Sequence, residues 1–251
     1  MIDLLAYRYE LAMSLLAGVL IFTGQFIFWR VVFTGQTEIR GFTFNQILLY
    51  YLFLSIVADL VNSNVGFNMS NAILKGTITN YLLRPFNIRF WLLTEELSRT
   101  IFNLLIRLVS YLSLYILVFG SVQIDVLNLI LFLGFIILVS LLSFCIYFLI
   151  GCLAFFTEEI KYVNFGLRRT ILFLAGGVLP LSFFPDWYTQ FLNFTPLKYL
   201  VDFPVKILFG KINTTDLLLG ILVTIFWIIF LWFVGGLLFD RTVKANQSVG
   251  I

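Results

Sequence analysis

The sequence predicts an all-α polytopic membrane protein, one helical domain over residues 1–251. Three observations carry that expectation. Hydrophobic residues make up 61% of the chain and charged residues 12%, with a mean hydropathy of +1.03, a balance that ordinary soluble domains do not have. Six apolar runs reach the roughly 20 residues that one crossing requires. No long hydrophilic stretch separates them, so no soluble catalytic module fits between the spans.

The first span is placed at residues 11–33, marred by Ser14, Thr23, Gln25 and Arg30. It outruns a signal-peptide core and no small-residue cleavage site ends it, so it reads as uncleaved. The second, 46–68, carries Asp59, Asn62 and Asn64 in otherwise apolar surroundings. An amphipathic lead-in at 88–100 precedes the third span, 101–120. The fourth, 126–156, contains no charge and is longer than one crossing needs, which implies tilt or projection beyond the bilayer. The fifth, 164–184, is broken by Gly176, Gly177 and Pro180, and the sixth is 216–239. Between these last two lies a segment, 180–215, rich in proline and aromatic residues. Proline blocks helix continuation, and irregular backbone at membrane depth needs protein or water around it. A re-entrant pair of short helices, dipping in from outside, is the expected geometry.

Residues 71–86 form a different kind of element. Leu74, Ile78 and Leu82 recur every four positions, while Lys75 and Arg84 bring positive charge. A helix with that pattern lies flat on a membrane face and offers a handle to a soluble motor subunit. Orientation follows from the short loops. With a cytoplasmic N-terminus, Arg8, Lys75, Arg84, Arg89, Arg99, Arg107, Lys161, Arg168, Arg169, Arg241 and Lys244 fall inside or near the inner interface. Arg40, Lys198, Lys206 and Lys211 fall outside, with Arg30 near the outer end of the first span. Both termini are therefore expected in the cytoplasm, and a bacterial inner membrane is the expected location.

Composition also removes several kinds of chemistry. Histidine is absent, which takes away the usual general base and metal ligand. Paired glutamates, Glu95-Glu96 and Glu158-Glu159, suggest an intramembrane protease, but such a site needs histidines. No Lys/Arg block is long enough for nucleic acid. No Walker-type loop is present, so nucleotide chemistry needs another polypeptide. Cys145 and Cys152 lie about 10 Å apart along one helix, beyond disulfide reach, and read as packing residues. Glu95 and Arg99, at i and i+4, read as a helix-surface ion pair, and Arg168 and Arg169 as snorkelling anchors. Asp59 is expensive at its depth and calls for the bundle interior, a water-filled cavity or a cation. Arg107 is a plausible mate, either as a buried structural pair or as part of a translocation path with Gln25 and Asn62. Trp187, Tyr188 and Tyr199 suit an interfacial aromatic belt, while Pro180, Phe184, Pro185 and Trp187 also suit an extracytoplasmic gate.

Three stretches together resemble the permeases of type-2 ATP-binding-cassette exporters, closest to a branch of transport-system permeases some of which are named for viologen or drug export. Lys75-Gly76 followed by Tyr81-Leu82-Leu83-Arg84-Pro85 is similar to that branch's connector between spans two and three. Gly176-Gly177 to Pro180, with Phe184-Pro185 and Trp187, is similar to its re-entrant segment. Pro196, Tyr199 to Pro204 and Ile207 to Gly210 are similar to its approach to span six. The resemblance implies a half-transporter that pairs with a second permease chain, identical or paralogous, and with two copies of an ATP-binding-cassette ATPase subunit. ATP and Mg would sit on that partner, with no cofactor on this chain. Ile73 to Pro85, including Lys75, Gly76, Tyr81, Leu82, Leu83 and Arg84, would be the main coupling element. Glu158, Glu159, Lys161 and Tyr162 would form a lesser one. The alternatives are an ATP-independent channel or carrier using Asp59 and Arg107, and a membrane anchor in a larger complex.

Overall fold

The computed structural model describes residues 19–79, 87–120, 125–156 and 160–247, and within these the chain is almost wholly helical. It divides into two compact units, Met1–Ser55 and Ile56–Ile251.

In the first unit, helix α1 (Val19–Val32) leads to a small hairpin of β1 (Glu38–Ile39) and β2 (Phe42–Thr43). Arg40 and Gly41 both take positive φ, 51° and 80°, as the tightest hairpin turns require. Helix α2 (Phe44–Val61) then starts on a reciprocal cap. The Thr43 hydroxyl accepts from the Gln46 amide at 3.4 Å, and the Gln46 side chain accepts from the Thr43 amide at 3.2 Å. Two donors left over at the helix start are satisfied in one exchange. Aromatic rings fill this unit: Trp29 lies 5.9 Å from Tyr51, Phe33 5.8 Å from Phe44, and Phe42 5.9 Å from Tyr50.

The second unit is built on helix α5. In chain order its elements are α3 (Val65–Leu74), α4 (Ile88–Phe119) and α5 (Val126–Cys152), the last prolonged by a 3₁₀ turn at Leu153–Phe155. Then come α6 (Ile160–Leu174), a 3₁₀ turn at Leu181–Phe183, and the short helices α7 (Asp186–Leu192), α8 (Leu197–Leu200) and α9 (Asp202–Leu208). Helix α10 (Thr214–Gln247) closes the described chain. Two of these helices, over Val126–Phe155 and Thr214–Val243, are long and apolar enough to cross a membrane.

Small residues let the helices touch. A Cβ on Gly66 of α3 would stand 2.6 Å from the Tyr147 carbonyl oxygen of α5, and one on Gly151 would stand 3.2 Å from the Gly66 Cα. Without side chains at these two points the backbones of α3 and α5 close on each other, the usual device between apolar helices. Around that crossing Val65, Met69, Ala72, Phe144, Cys145, Phe148 and Cys152 pack into one buried cluster with Ile78, Ile88, Leu92 and Phe239. Both cysteines are thus packing residues. The cluster gathers the C-terminal ends of α3 and α5 and the start of α4 at one end of the unit.

Four expectations need correction. The second span is not continuous: α2 stops at Val61 and α3 begins at Val65, with Asn62, Ser63 and Asn64 between them. The lead-in and third span are one 32-residue helix, started by Asn87, whose side chain accepts from the Arg89 amide at 3.0 Å. The fifth helix ends at Leu174 rather than 184. Gly176 there takes φ +90°, a conformation that no ordinary helix residue adopts. Finally, the stretch expected as one amphipathic helix over 71–86 is interrupted at 75–77, and its residues 80–86 lie outside those described. Helix α3 carries Ile73 and Leu74 and ends at Lys75. Gly76 turns with φ +70°, and only then does a helical turn resume at 78–79. Leu74 is accordingly exposed while Ile78 is buried, so the two do not share a helix face.

Candidate functional site

Two irregular stretches stand out in the second unit, and each is held by a charged side chain. The first is the break between α2 and α3. A helix end leaves carbonyl groups without partners, and here the Ser63 carbonyl accepts from Arg168 at 2.7 Å. The same guanidinium nitrogen reaches the Asn64 side-chain oxygen at 3.2 Å, and the group lies 5.6 Å from the centre of the Tyr147 ring. The Ser63 hydroxyl accepts from the Val65 amide at 3.2 Å. Asn164, one turn before Arg168 on α6, is buried beside Gly66. Arg168 is therefore turned inward and does not snorkel. Its neighbour Arg169 is exposed, 5.5 Å from the Phe165 ring.

Beyond that break, α3 leads to the connector. Lys75 and Leu74 are exposed at its end. A small cleft lies between α3 and the start of α4, with Met69, Ala72, Ile78, Ile88 and Leu92 as its floor and exposed Asn68 and Glu95 at its edge. The ion pair on α4 differs from the expected one. Arg99 pairs with the buried Glu96, not with Glu95. The i, i+3 spacing serves as well as i, i+4 on a helix surface, and burial of Glu96 makes it the carboxylate that needs a partner. Arg89, near the start of α4, donates to the Trp232 carbonyl of α10 at 3.4 Å and lies 5.4 Å from the Trp232 ring. A side chain at Gly236 would collide with that guanidinium.

The second irregular stretch follows α6. Asp202, completely buried, accepts from the Leu181 amide at 3.1 Å and pairs with Lys206 at 2.7 Å. Tyr188 donates to the Leu174 carbonyl and Tyr199 to the Asn193 carbonyl, each at 2.9 Å. Trp227 of α10 donates to the Phe194 carbonyl at 3.0 Å, and the Phe203 ring lies over Gly220 of α10 and 5.1 Å from Phe135 of α5. The region is thus short helices fastened to α5, α6 and α10. Of the three residues assigned to an aromatic belt, only Trp187 is exposed, at 70%. Tyr188 and Tyr199 use their hydroxyls as internal fasteners. Pro180 is buried and starts the 3₁₀ turn, Pro185 starts α7, and Phe184 stacks on Tyr188 at 5.1 Å. Burial, and behind it the nearby Lys206, push the Lys198 ammonium below the ordinary lysine value, against the pull of Asp202 and Asp216.

The remaining expected site residues are distributed as follows. Tyr162 begins the exposed side of α6, at 80% exposure, close after the end of α5. Gln25 is half-buried on α1, and Asn62 sits in the α2–α3 break with its side-chain oxygen buried. Arg107 is half-buried on α4. Tyr81, Leu82, Leu83, Arg84, Pro85, Glu158 and Glu159 lie outside the described residues, as do the side chains of Asp59 and Lys161. The residues that sequence reasoning missed are Asp202, Lys206 and the inward role of Arg168. A signal existed for each. Asp202 and Lys206 stand four apart in a run of apolar neighbours, and adjacent arginines on a helix point about 100° apart, so both cannot face the same way.

In comparison with known families, the one described as ABC-2 family transporter protein matches residues 19–250. Neither a curated protein nor a solved structure matches the chain.

Proposed function

Because the chain belongs to the ABC-2 transporter family, whose members are membrane permeases that work with ATP-binding-cassette ATPases, we propose that it is the permease subunit of an exporter for a small amphipathic or hydrophobic solute. The match over residues 19–250 is the observation that carries this reading. ATP and Mg belong to a separate ATPase subunit, bound in two copies, and a second permease chain completes the path. The chain itself is a transport component and not an enzyme. Six spans with both termini in the cytoplasm of a bacterial inner membrane agree with the distribution of Lys and Arg.

In this reading the end of the second unit where α3 and α5 finish is cytoplasmic. The connector from Ile73 to Pro85 and the stretch from Glu158 to Tyr162 are the two places gripped by the ATPase. Motor-driven export needs the motor to favour one arrangement of the spans over another, and a connector joined to a packed helix delivers that preference better than a loose loop. Arg84 offers a forked donor to the partner and Pro85 stiffens the exit. Asp59, Asn62, Gln25 and Arg107 are candidates for the path, and Pro180, Phe184, Pro185 and Trp187 for the opposite gate.

Photo-crosslinking tests the assignment. With a photoreactive residue at Lys75 or Tyr162, both exposed, an adduct with a nucleotide-binding subunit is expected in membranes of the native host, and none is expected from Trp187. Absence of such an adduct from both positions would contradict the reading.

A further inference from the structure

We infer that Arg168 is a positioning residue that ties the two cytoplasmic connectors together, so that α3 and α6 move as one body. The connectors' role in coupling rests on the transporter reading above; the tie itself rests on geometry. One guanidinium nitrogen holds the Ser63 carbonyl at 2.7 Å and the Asn64 side chain at 3.2 Å. That group lies over the Tyr147 ring of α5, 5.6 Å from its centre. Ser63 follows the C-terminus of α2, where the helix dipole favours a cation, and Ser63 itself is fully buried. The arginine donates to that buried carbonyl.

What Arg168 joins is set by direction along the chain. From Asn64, helix α3 runs straight to Lys75, roughly 17 Å at 1.5 Å per residue. From Arg168, helix α6 runs back to Ile160, roughly 12 Å on the same scale, and so to the second connector. Between these ends Asn164 packs beside Gly66, where any side chain would meet the Tyr147 carbonyl. The two helices are therefore joined at Arg168 and in contact one turn further on, with a connector at the far end of each. Without this tie the break at Asn62–Asn64 is a hinge on which α3 swings alone. Lysine is a poor substitute, because its compact ammonium lacks the extended guanidinium that lies over Tyr147 while reaching two acceptors.

The test is a distance measurement between the connectors in the purified full-length chain in lipid nanodiscs. Spin labels are placed on cysteines at Lys75 and Tyr162 after Cys145 and Cys152 are replaced by alanine, and pulsed electron resonance reads the distribution. A narrow distribution is expected in this parent. Arg168→Gln is expected to widen it at least twofold, Arg168→Lys to restore part of the narrowing, and Asn64→Ala, which keeps the bond to the Ser63 backbone, to widen it less. Combining Asn64→Ala with Arg168→Gln should add nothing, since both act on one tie. A control pair at Leu218 and Ile229 on α10 should stay unchanged, which a general loss of fold would not allow. Unchanged widths in Arg168→Gln and Asn64→Ala, or equal widening in the control pair, would overturn the inference. No ATPase is needed here, so this result and the crosslinking result fail independently.

Discussion

The two breaks in the second unit are opposites in charge and alike in construction. At Asn62–Asn64 the chain leaves a helix and frees a carbonyl, and a cation, Arg168, arrives from another helix to bond it. At Leu181 the chain begins a 3₁₀ turn and presents a free amide, and an anion, Asp202, arrives from 21 residues away to accept from it. Their burial differs. Asp202 is wholly enclosed and has its own counter-ion in Lys206, whereas Arg168 is half-buried and spreads its contacts over two acceptors and a ring. A break fastened by a buried ion pair is built to stay as it is. One fastened by a part-exposed cation from another helix holds that helix and α3 together, which suits the break nearer the connectors.

The largest effect is expected on the rigid side. Asp202→Ala strands the Leu181 amide and leaves Lys206 without its carboxylate. About 3 kcal/mol of stability should be lost, read as a lower unfolding midpoint in detergent-solubilised protein. Asp202→Asn should recover part of that loss, because an amide oxygen still accepts from Leu181. Gly66→Val comes next. Its Cβ would stand 2.6 Å from a backbone oxygen, so α3 must shift from α5 at a cost of about 1–3 kcal/mol, with the distance between labels at 75 and 162 changing as well. The smallest is Tyr188→Phe, which removes one hydroxyl from the Leu174 carbonyl and should cost about 1 kcal/mol in the same thermal assay. If Asp202→Ala proved milder than Gly66→Val, the contrast between a break held by a buried ion pair and one held by a part-exposed cation would collapse.

Much of this architecture was legible in the sequence because hydrophobic length is a coarse, strong signal. The uncharged run at 126–156 became the central helix, and the approach to residue 239 became α10. Facing was not legible. The most apolar stretches of the two helices have nearly the same mean hydropathy, 3.0 and 2.8, yet half of the first stretch is buried and only 11% of the second. Composition reports what a membrane tolerates, and lipid and protein neighbours are equally apolar. The α2–α3 break escaped for a related reason: Asn62, Ser63 and Asn64 read as three polar residues in a span, and nothing local shows that Arg168, over a hundred residues on, bonds the backbone there. The connector's turn at Gly76 was visible as a glycine but was outweighed by the four-residue spacing of Leu74 and Ile78. Spacing of i and i+4 favours Glu95 as the partner of Arg99, and burial of Glu96 decides otherwise. The family signal lay in short motifs around Gly76, Gly176 and Pro196, and it agrees with the family match.

The most direct measurement is a gentle-detergent pull-down of this chain from its native host, with mass spectrometry of what remains bound and an ATPase assay on the eluate. A stoichiometric ATP-binding-cassette subunit is expected, with ATPase activity, and both should be lost or sharply reduced in Arg84→Ala while the permease itself stays folded. A second permease chain in the eluate would identify the partner in the membrane. Recovery of the chain alone, with no ATPase activity, would contradict the motor-coupled reading.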